Sequence, residues 1–164
     1  MKYDAASERN KIVLDAIESV LAELGANNTD FGGADFDGNQ MPTDSFLIIV
    51  EGRRDIVSLR NLGITAEIIP CANQPVAEFC ENIAEMKKTV VILTDWDRKG
   101  GILAARLEEQ FKNLDVPYET AQREKLLFYS KREIKDVESL YTHVLKLREM
   151  LHCGDNSDEF ENEN

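Results

Sequence analysis

The sequence has little of what would mark a secreted, membrane or metal-thiolate protein. It has three cysteines, Cys71, Cys80 and Cys153, in 164 residues, scattered without metal-ligand spacing. An odd, unpatterned set argues against a disulfide framework, so reduced thiols and a cytoplasmic location are expected. No apolar run approaches the length that spans a bilayer, which excludes a helical membrane anchor. The N-terminus lacks the basic and apolar regions of a signal peptide. Histidines number two; His152-Cys153 is the one metal-like pair, and it has no partner motif. Base is scarce as well: nineteen Lys and Arg against thirty-one Asp and Glu leave a net charge of −12. That balance opposes loose, purely electrostatic binding to phosphate backbones.

What is present is ordinary for a globular domain, with 43% hydrophobic and 30% charged residues. The length accommodates one core. The acid is partly segregated. Asp155, Asp158, Glu159, Glu161 and Glu163 crowd the C-terminal stretch without a base, and that stretch is expected to be disordered. Between Arg98 and Arg132 the balance reverses, with eight basic residues (Arg98, Lys99, Arg106, Lys112, Arg123, Lys125, Lys131, Arg132) against five acids. This asymmetry points to a nucleic-acid face, with solvated surface as the alternative.

Two stretches organise the chain. Phe46-Leu47-Ile48-Ile49-Val50 ends in Glu51-Gly52-Arg53-Arg54-Asp55, and Val90-Val91-Ile92-Leu93 ends in Thr94-Asp95-Trp96-Asp97-Arg98-Lys99-Gly100-Gly101. Short β-branched apolar runs bounded by turn residues predict buried strands of a parallel sheet. Carboxylates just past the C-terminal ends of such strands lie where open α/β sheets form ligand crevices. If the strands are neighbours, Glu51, Asp95 and Asp97 converge on one volume. Acids that close repel one another unless a cation joins them, and oxygen-only ligands favour Mg²⁺ or Mn²⁺. Glu51, its pKa lifted by the paired aspartates, is then a candidate general acid or base. The competing reading is that these acids only cap helices and solvate turns.

Around these stretches the chain reads as alternating helices and strands. Ala5 to Leu24 predicts an amphipathic helix with Ile12, Val13, Ala16, Ile17, Val20, Leu21 and Leu24 on its buried stripe, stopped by Gly25. Residues 27–45 read as a loop, in which Asp35-Phe36-Asp37-Gly38-Asn39 only partly matches a calcium loop. A short helix over Asp55 to Leu62, a strand over Thr65 to Pro70 and a helix over Gln74 to Met86 are expected next. A helix from about Gly101 to Phe111 follows the second acidic stretch. Val116 to Phe128 predicts one or two further strands, including Glu124 to Tyr129, and Asp136 to Met150 a last helix with His143 at its surface. Arg53 and Arg54 suit a phosphate, or else a salt bridge to Asp55 or Glu51. Gly100 and Gly101 start a helix whose free N–H groups favour anions, with Arg98 and Lys99 beside them. Trp96 either stacks on a base or packs on a neighbouring loop.

The two acidic stretches carry a family resemblance. Glu51-Gly52 after an apolar strand, with Asp55 following, resembles the first motif of the Toprim domain; Asp95-Trp96-Asp97 with Gly100 resembles the second. They stand in the right order, about forty residues apart, and the similarity spans about residues 44 to 145. Toprim domains occur in bacterial primases, topoisomerases, recombination-mediator proteins, OLD-family nucleases and the ribonuclease that matures 5S rRNA. By length the chain resembles small stand-alone archaeal members.

The resemblance implies a Rossmann-like α/β fold, with a mostly parallel sheet of about four strands flanked by helices and an added N-terminal helix. It implies a division into a helix at 1–26, a loop at 27–45, the Toprim domain at 46–152 and the acidic tail at 153–164. It also implies Glu51 as catalytic acid/base, Asp95 and Asp97 as the Mg²⁺ site (Mn²⁺ as substitute), and nucleic acid as partner. Topoisomerases of this family carry an acid where this chain has Lys99, which moves it towards primase-like and nuclease-like members. The expectation is therefore a Mg²⁺-dependent nuclease. The alternatives are a non-catalytic nucleic-acid-binding or accessory module of a larger protein assembly, or a small-molecule phosphohydrolase.

Overall fold

The computed structural model describes residues 5–26 and 42–159, with side chains as far as 152. Residues 27–41, most of the expected 27–45 loop with its calcium-like Asp35 to Asn39 stretch, lie outside the described residues. So do residues 160–164. In chain order the elements are α1 (Ala5–Glu23), β1 (Phe46–Val50), α2 (Arg53–Asn61), β2 (Glu67–Pro70), α3 (Val76–Ala84), β3 (Thr89–Ile92), α4 (Arg98–Asn113), β4 (Tyr118–Glu119), α5 (Ala121–Ser130) and α6 (Leu140–Glu159). The strands form one parallel sheet in the order β2-β1-β3-β4. Among the described residues no helix is long and apolar enough to cross a membrane.

The continuous apolar runs of β1 and β3 are explained by burial on both faces. Alternate residues point to opposite sides of the sheet, and each side is covered by helices. Phe46, Ile48, Val50 and Val91 pack with α1, α2, α5 and α6. Leu47, Ile49, Val90 and Ile92 pack with α3 and α4 through Phe79, Ile83, Leu107 and Phe111. The result is three layers.

The strand order creates a switch point. From β1 the chain leaves towards β2, and from β3 it leaves towards β4, so the two connections diverge above a pair of adjacent strands. Register sets Ile49 opposite Ile92, and Leu93 N–H donates to Ile49 O at 2.8 Å. The residues that follow each strand are therefore held side by side, at the place where doubly wound sheets bind ligands.

Several expectations are corrected. Glu124 to Tyr129 is not a strand but the second half of α5. Arg123, Leu126 and Ser130 are buried at helical spacing, whereas Phe128 is 68% exposed, so the four-residue apolar run supplies only part of a helix face. The remaining strand in this region is the two-residue β4. Helix α2 begins at Arg53, because Gly52 is its N-cap and Asp55, in its first turn, reaches back to accept from Gly52 N–H at 3.0 Å. Its end is as expected: Gly63, with φ of 90°, permits the paired bonds from Gly63 N–H to Arg60 O and from Ile64 N–H to Leu59 O. Helix α6 starts at Leu140, not Asp136, and continues to Glu159, past Gly154 where a disordered tail was expected. His143 is buried rather than at the surface, and Ile12 is 52% exposed rather than on the buried stripe of α1.

Candidate active site

Glu51 and Asp95 meet. Each directly follows or closely trails its strand, and the Asp95 N–H donates to Glu51 Oε1 at 3.3 Å. Their carboxyls are close enough to perturb one another's ionisation. Burial pushes the Asp95 carboxyl up to about 7, and the Asp55 and Glu51 charges add to the effect. Burial also raises Glu51, helped by the charges of Asp97 and Asp55, while its bonds from Asp95 act in the opposite direction. Asp95 Oδ1 accepts from the Val137 N–H at 3.0 Å, which ties the loop before α6 to the site.

Asp97 turns aside. It is the N-cap of α4, its Oδ1 accepting from Gly100 N–H at 2.7 Å, and its influence on Glu51 is through charge rather than contact. Among the described residues no group of three Asp, Glu, His or Cys side chains is already converged to hold a metal. The donor chemistry nevertheless fits a hard dication. The carboxylates offer only oxygen, and burial with neighbouring negative charge raises the pKa of both Glu51 and Asp95, a strain that a cation between them would relieve.

The loop that carries the aspartates is braced from beneath. A Cβ on Gly100 would lie 1.8 Å from the Asp95 carbonyl oxygen, so only glycine allows α4 to start this close. Thr94 Oγ1 donates to Gly100 O at 2.8 Å. The buried Arg123 guanidinium donates from Nε to Thr94 O at 3.1 Å and from Nη2 to Asp95 O at 2.8 Å. Arg123, one of the eight basic residues between Arg98 and Arg132, thus faces inward, and nothing in its local sequence distinguishes it from its neighbours. Trp96 packs on the loop: its N–H donates to Lys135 O and its Nε1–H to Ile134 O, at 2.8 and 2.7 Å. It is only 7% exposed, which removes it as a stacking platform.

The rim carries the basic residues. Arg98 and Lys99 are exposed on the first turn of α4. Arg54 pairs with Glu138 at 3.4 Å, not with Asp55 or Glu51. Arg53 lines a hollow with Glu51, Gly52 and the Pro70 to Gln74 turn, where Asn73 adopts a φ of 63°. Asp55 is engaged in capping, and burial raises its pKa, so its role is to fix Gly52 beside Glu51. Cys71, whose N–H donates to Val50 O at 2.9 Å, is buried beside Glu51 and its thiol is pushed up to about 12, chiefly by burial. It is inert as a nucleophile.

The family model for the Toprim domain matches residues 46–129, from the first residue of β1 through most of α5. The chain belongs to the Toprim-domain family. Among relatives, a UPF0292 protein of Methanosarcina barkeri is 43% identical over 135 residues, covering 82% of this chain and 85% of that one. UPF0292 proteins of Methanocaldococcus jannaschii and Pyrococcus abyssi are 36% and 44% identical, covering 60% and 61% of this chain and 78% and 75% of theirs. A solved structure of a protein from Aquifex aeolicus shares the fold, with a TM-score of 0.50 and 22% identity over 59% of this chain and 86% of that one. The Toprim domain points to a nucleic-acid-related function, and Glu51 and Asp95 stand at its switch point.

Proposed function

We propose that this Toprim domain is a Mg²⁺-dependent nuclease of the cytoplasm, with Glu51 as general acid/base and Asp95 and Asp97 as the residues that hold the ion. The observation that carries this reading is the contact between Glu51 and Asp95, across 44 residues of chain, at the β1/β3 switch point. Two partly buried acids brought together there, each with its pKa raised, are the arrangement expected of a cation site without its cation. When bound, Mg²⁺ would supply charge stabilisation to phosphate oxygens.

The chain's own residues do the rest. Arg53, Arg98 and Lys99 draw the phosphodiester to the rim and offset its charge. Glu51, released from its bond to Asp95, accepts a proton from a water placed against the phosphorus. The P–O bond to the leaving sugar oxygen breaks, and that oxygen takes up a proton, leaving a phosphomonoester and a hydroxyl. Gly52 and Asp55 keep Glu51 in place, and Gly100 keeps Asp95 in place.

The test is cleavage of labelled structured RNA and single-stranded DNA with Mg²⁺ or Mn²⁺, with chelator, and with Asp95→Asn and Glu51→Gln. Cleavage that needs the metal and vanishes in folded variants is the expected result. Cleavage that survives chelator or Asp95→Asn would overturn the reading. A second reading, a non-catalytic nucleic-acid-binding or accessory module, is favoured by the cap that occupies Asp97 and by the net charge of −12. It expects binding without cleavage in every metal.

A further inference from the structure

A second surface lies outside the acid centre, on helices that approach each other only in the folded chain. Where α1 passes the C-terminal end of α5, a hollow of about 390 Å³ is lined by Arg9, Ile12, Val13, Phe128, Tyr129, Lys131 and Arg132. None of these described lining residues is acidic, in a chain of net charge −12. Phe128 is 68% exposed and Ile12 52%, the first and third most exposed of the large apolar side chains among the described residues. Phe128 and Tyr129 stand edge to face with centroids 5.0 Å apart. Arg9 is fixed at the groove wall by its bond from Nη2 to Glu133 Oε1 at 3.0 Å.

An exposed aromatic ring flanked by three cations matches one ligand chemistry closely. Single-stranded nucleic acid offers a base face to stack and phosphates to neutralise, with no need for a groove that fits a duplex. We infer that this groove between α1 and α5 is a single-strand docking site, with a base on Phe128 and phosphates on Arg9, Lys131 and Arg132. It deepens the nuclease reading by naming a strand, not a duplex, as substrate. The link to the acid centre is covalent and short. Lys131 and Arg132 run directly into Ile134 and Lys135, whose carbonyls hold Trp96, and into Val137, whose N–H holds Asp95. The groove and the Asp95 side of the site are thereby joined through the segment 131–137. The placement also resolves the charge problem, since an acidic protein attracts a polyanion only where its cations are gathered.

The experiment is fluorescence anisotropy of labelled single-stranded RNA and DNA 12-mers with the full chain, in chelator so that no strand is cut. Phe128→Ala, with its exposed ring, is expected to weaken single-strand binding about tenfold. The double variant Lys131→Ala/Arg132→Ala is expected to flatten the plot of log affinity against log salt by about 1.4, at roughly 0.7 per phosphate contact. Affinity unchanged in both variants overturns the inference. So does a duplex bound as tightly as a strand, or a Phe128→Ala effect on self-association or protein capture without one on strands. The nuclease reading fails separately. Groove-dependent binding with no cleavage in Mg²⁺ sinks the nuclease and keeps the groove. Cleavage of strands with wild-type KM in all groove variants sinks the groove and keeps the nuclease.

Discussion

Asp95 N–H donates to Glu51 Oε1 at 3.3 Å although 44 residues of chain separate them, and the two acids stand in one partly buried site. Both groups have their acidity lowered chiefly by burial, so the folded protein favours the protonated pair. The unfolded chain loses that proton near pH 4, while the folded chain keeps it to about pH 7 at Asp95. Between these values the folded state binds more protons than the unfolded one, so stability falls as pH rises. In chelator the melting temperature should decline from about pH 4 to 7, and Asp95→Asn should flatten that decline and melt higher at pH 8. A metal-free wild-type protein whose melting temperature rises over that interval would show the pair to be absent.

Mg²⁺ replaces the proton in this scheme. At pH 8 its addition should raise the melting temperature of the wild-type chain, by about 2.7 kcal/mol of stability at one hundred times the dissociation constant. Neither Glu51→Gln nor Asp95→Asn should gain comparably. Calorimetric titration of the three proteins with the ion is the direct measurement.

Asp97 separates capping from chemistry. Asn caps a helix about as well as Asp, whereas Ala loses about 1 kcal/mol. Asp97→Ala should therefore melt lower, and Asp97→Asn should melt like wild type yet lose metal-dependent cleavage. If Asp97→Asn cleaves normally, the residue is a cap and nothing more.

Gly100 admits no side chain. The Cβ of Gly100→Ala would sit 1.8 Å from Asp95 O, so α4 and the Asp95 loop must part. Destabilisation should exceed the roughly 1–3 kcal/mol of ordinary overpacking. Gly101→Ala is the control. Its nearest neighbour would be the Arg123 side chain at 3.8 Å, an ordinary contact, and denaturant unfolding should show little loss.

Arg123 should behave as a positioning residue. Arg123→Met leaves the carbonyls of Thr94 and Asp95 without their donor, which costs on the order of 2 kcal/mol. With the Asp95 loop loosened, kcat should fall more than KM rises. Arg123→Lys should restore stability in part, since one ammonium reaches one of the two carbonyls. Equal loss in kcat and stability with no rescue would mark it as merely structural.

The pattern of the sequence determined the sheet and its acid-bearing ends. Runs such as Phe46 to Val50 have no polar face to offer water, so they must be sandwiched, and Glu51-Gly52 and Asp95-Trp96-Asp97 necessarily emerge where the runs stop. Local turn chemistry likewise placed Gly63 and Gly25. Leu126-Leu127-Phe128-Tyr129 misled because a four-residue apolar run has no period of its own; α5 is helical because Arg123, Leu126 and Ser130 find burial on one side. Only the tertiary structure decided that β1 and β3 are neighbours, that Asp95 turns to Glu51 while Asp97 turns to α4, and that Arg123 faces inward. Apart from the Asp97 cap, which is a bond to Gly100 three residues on, those outcomes depend on contacts between residues 28 to 44 positions apart, which no local spacing encodes.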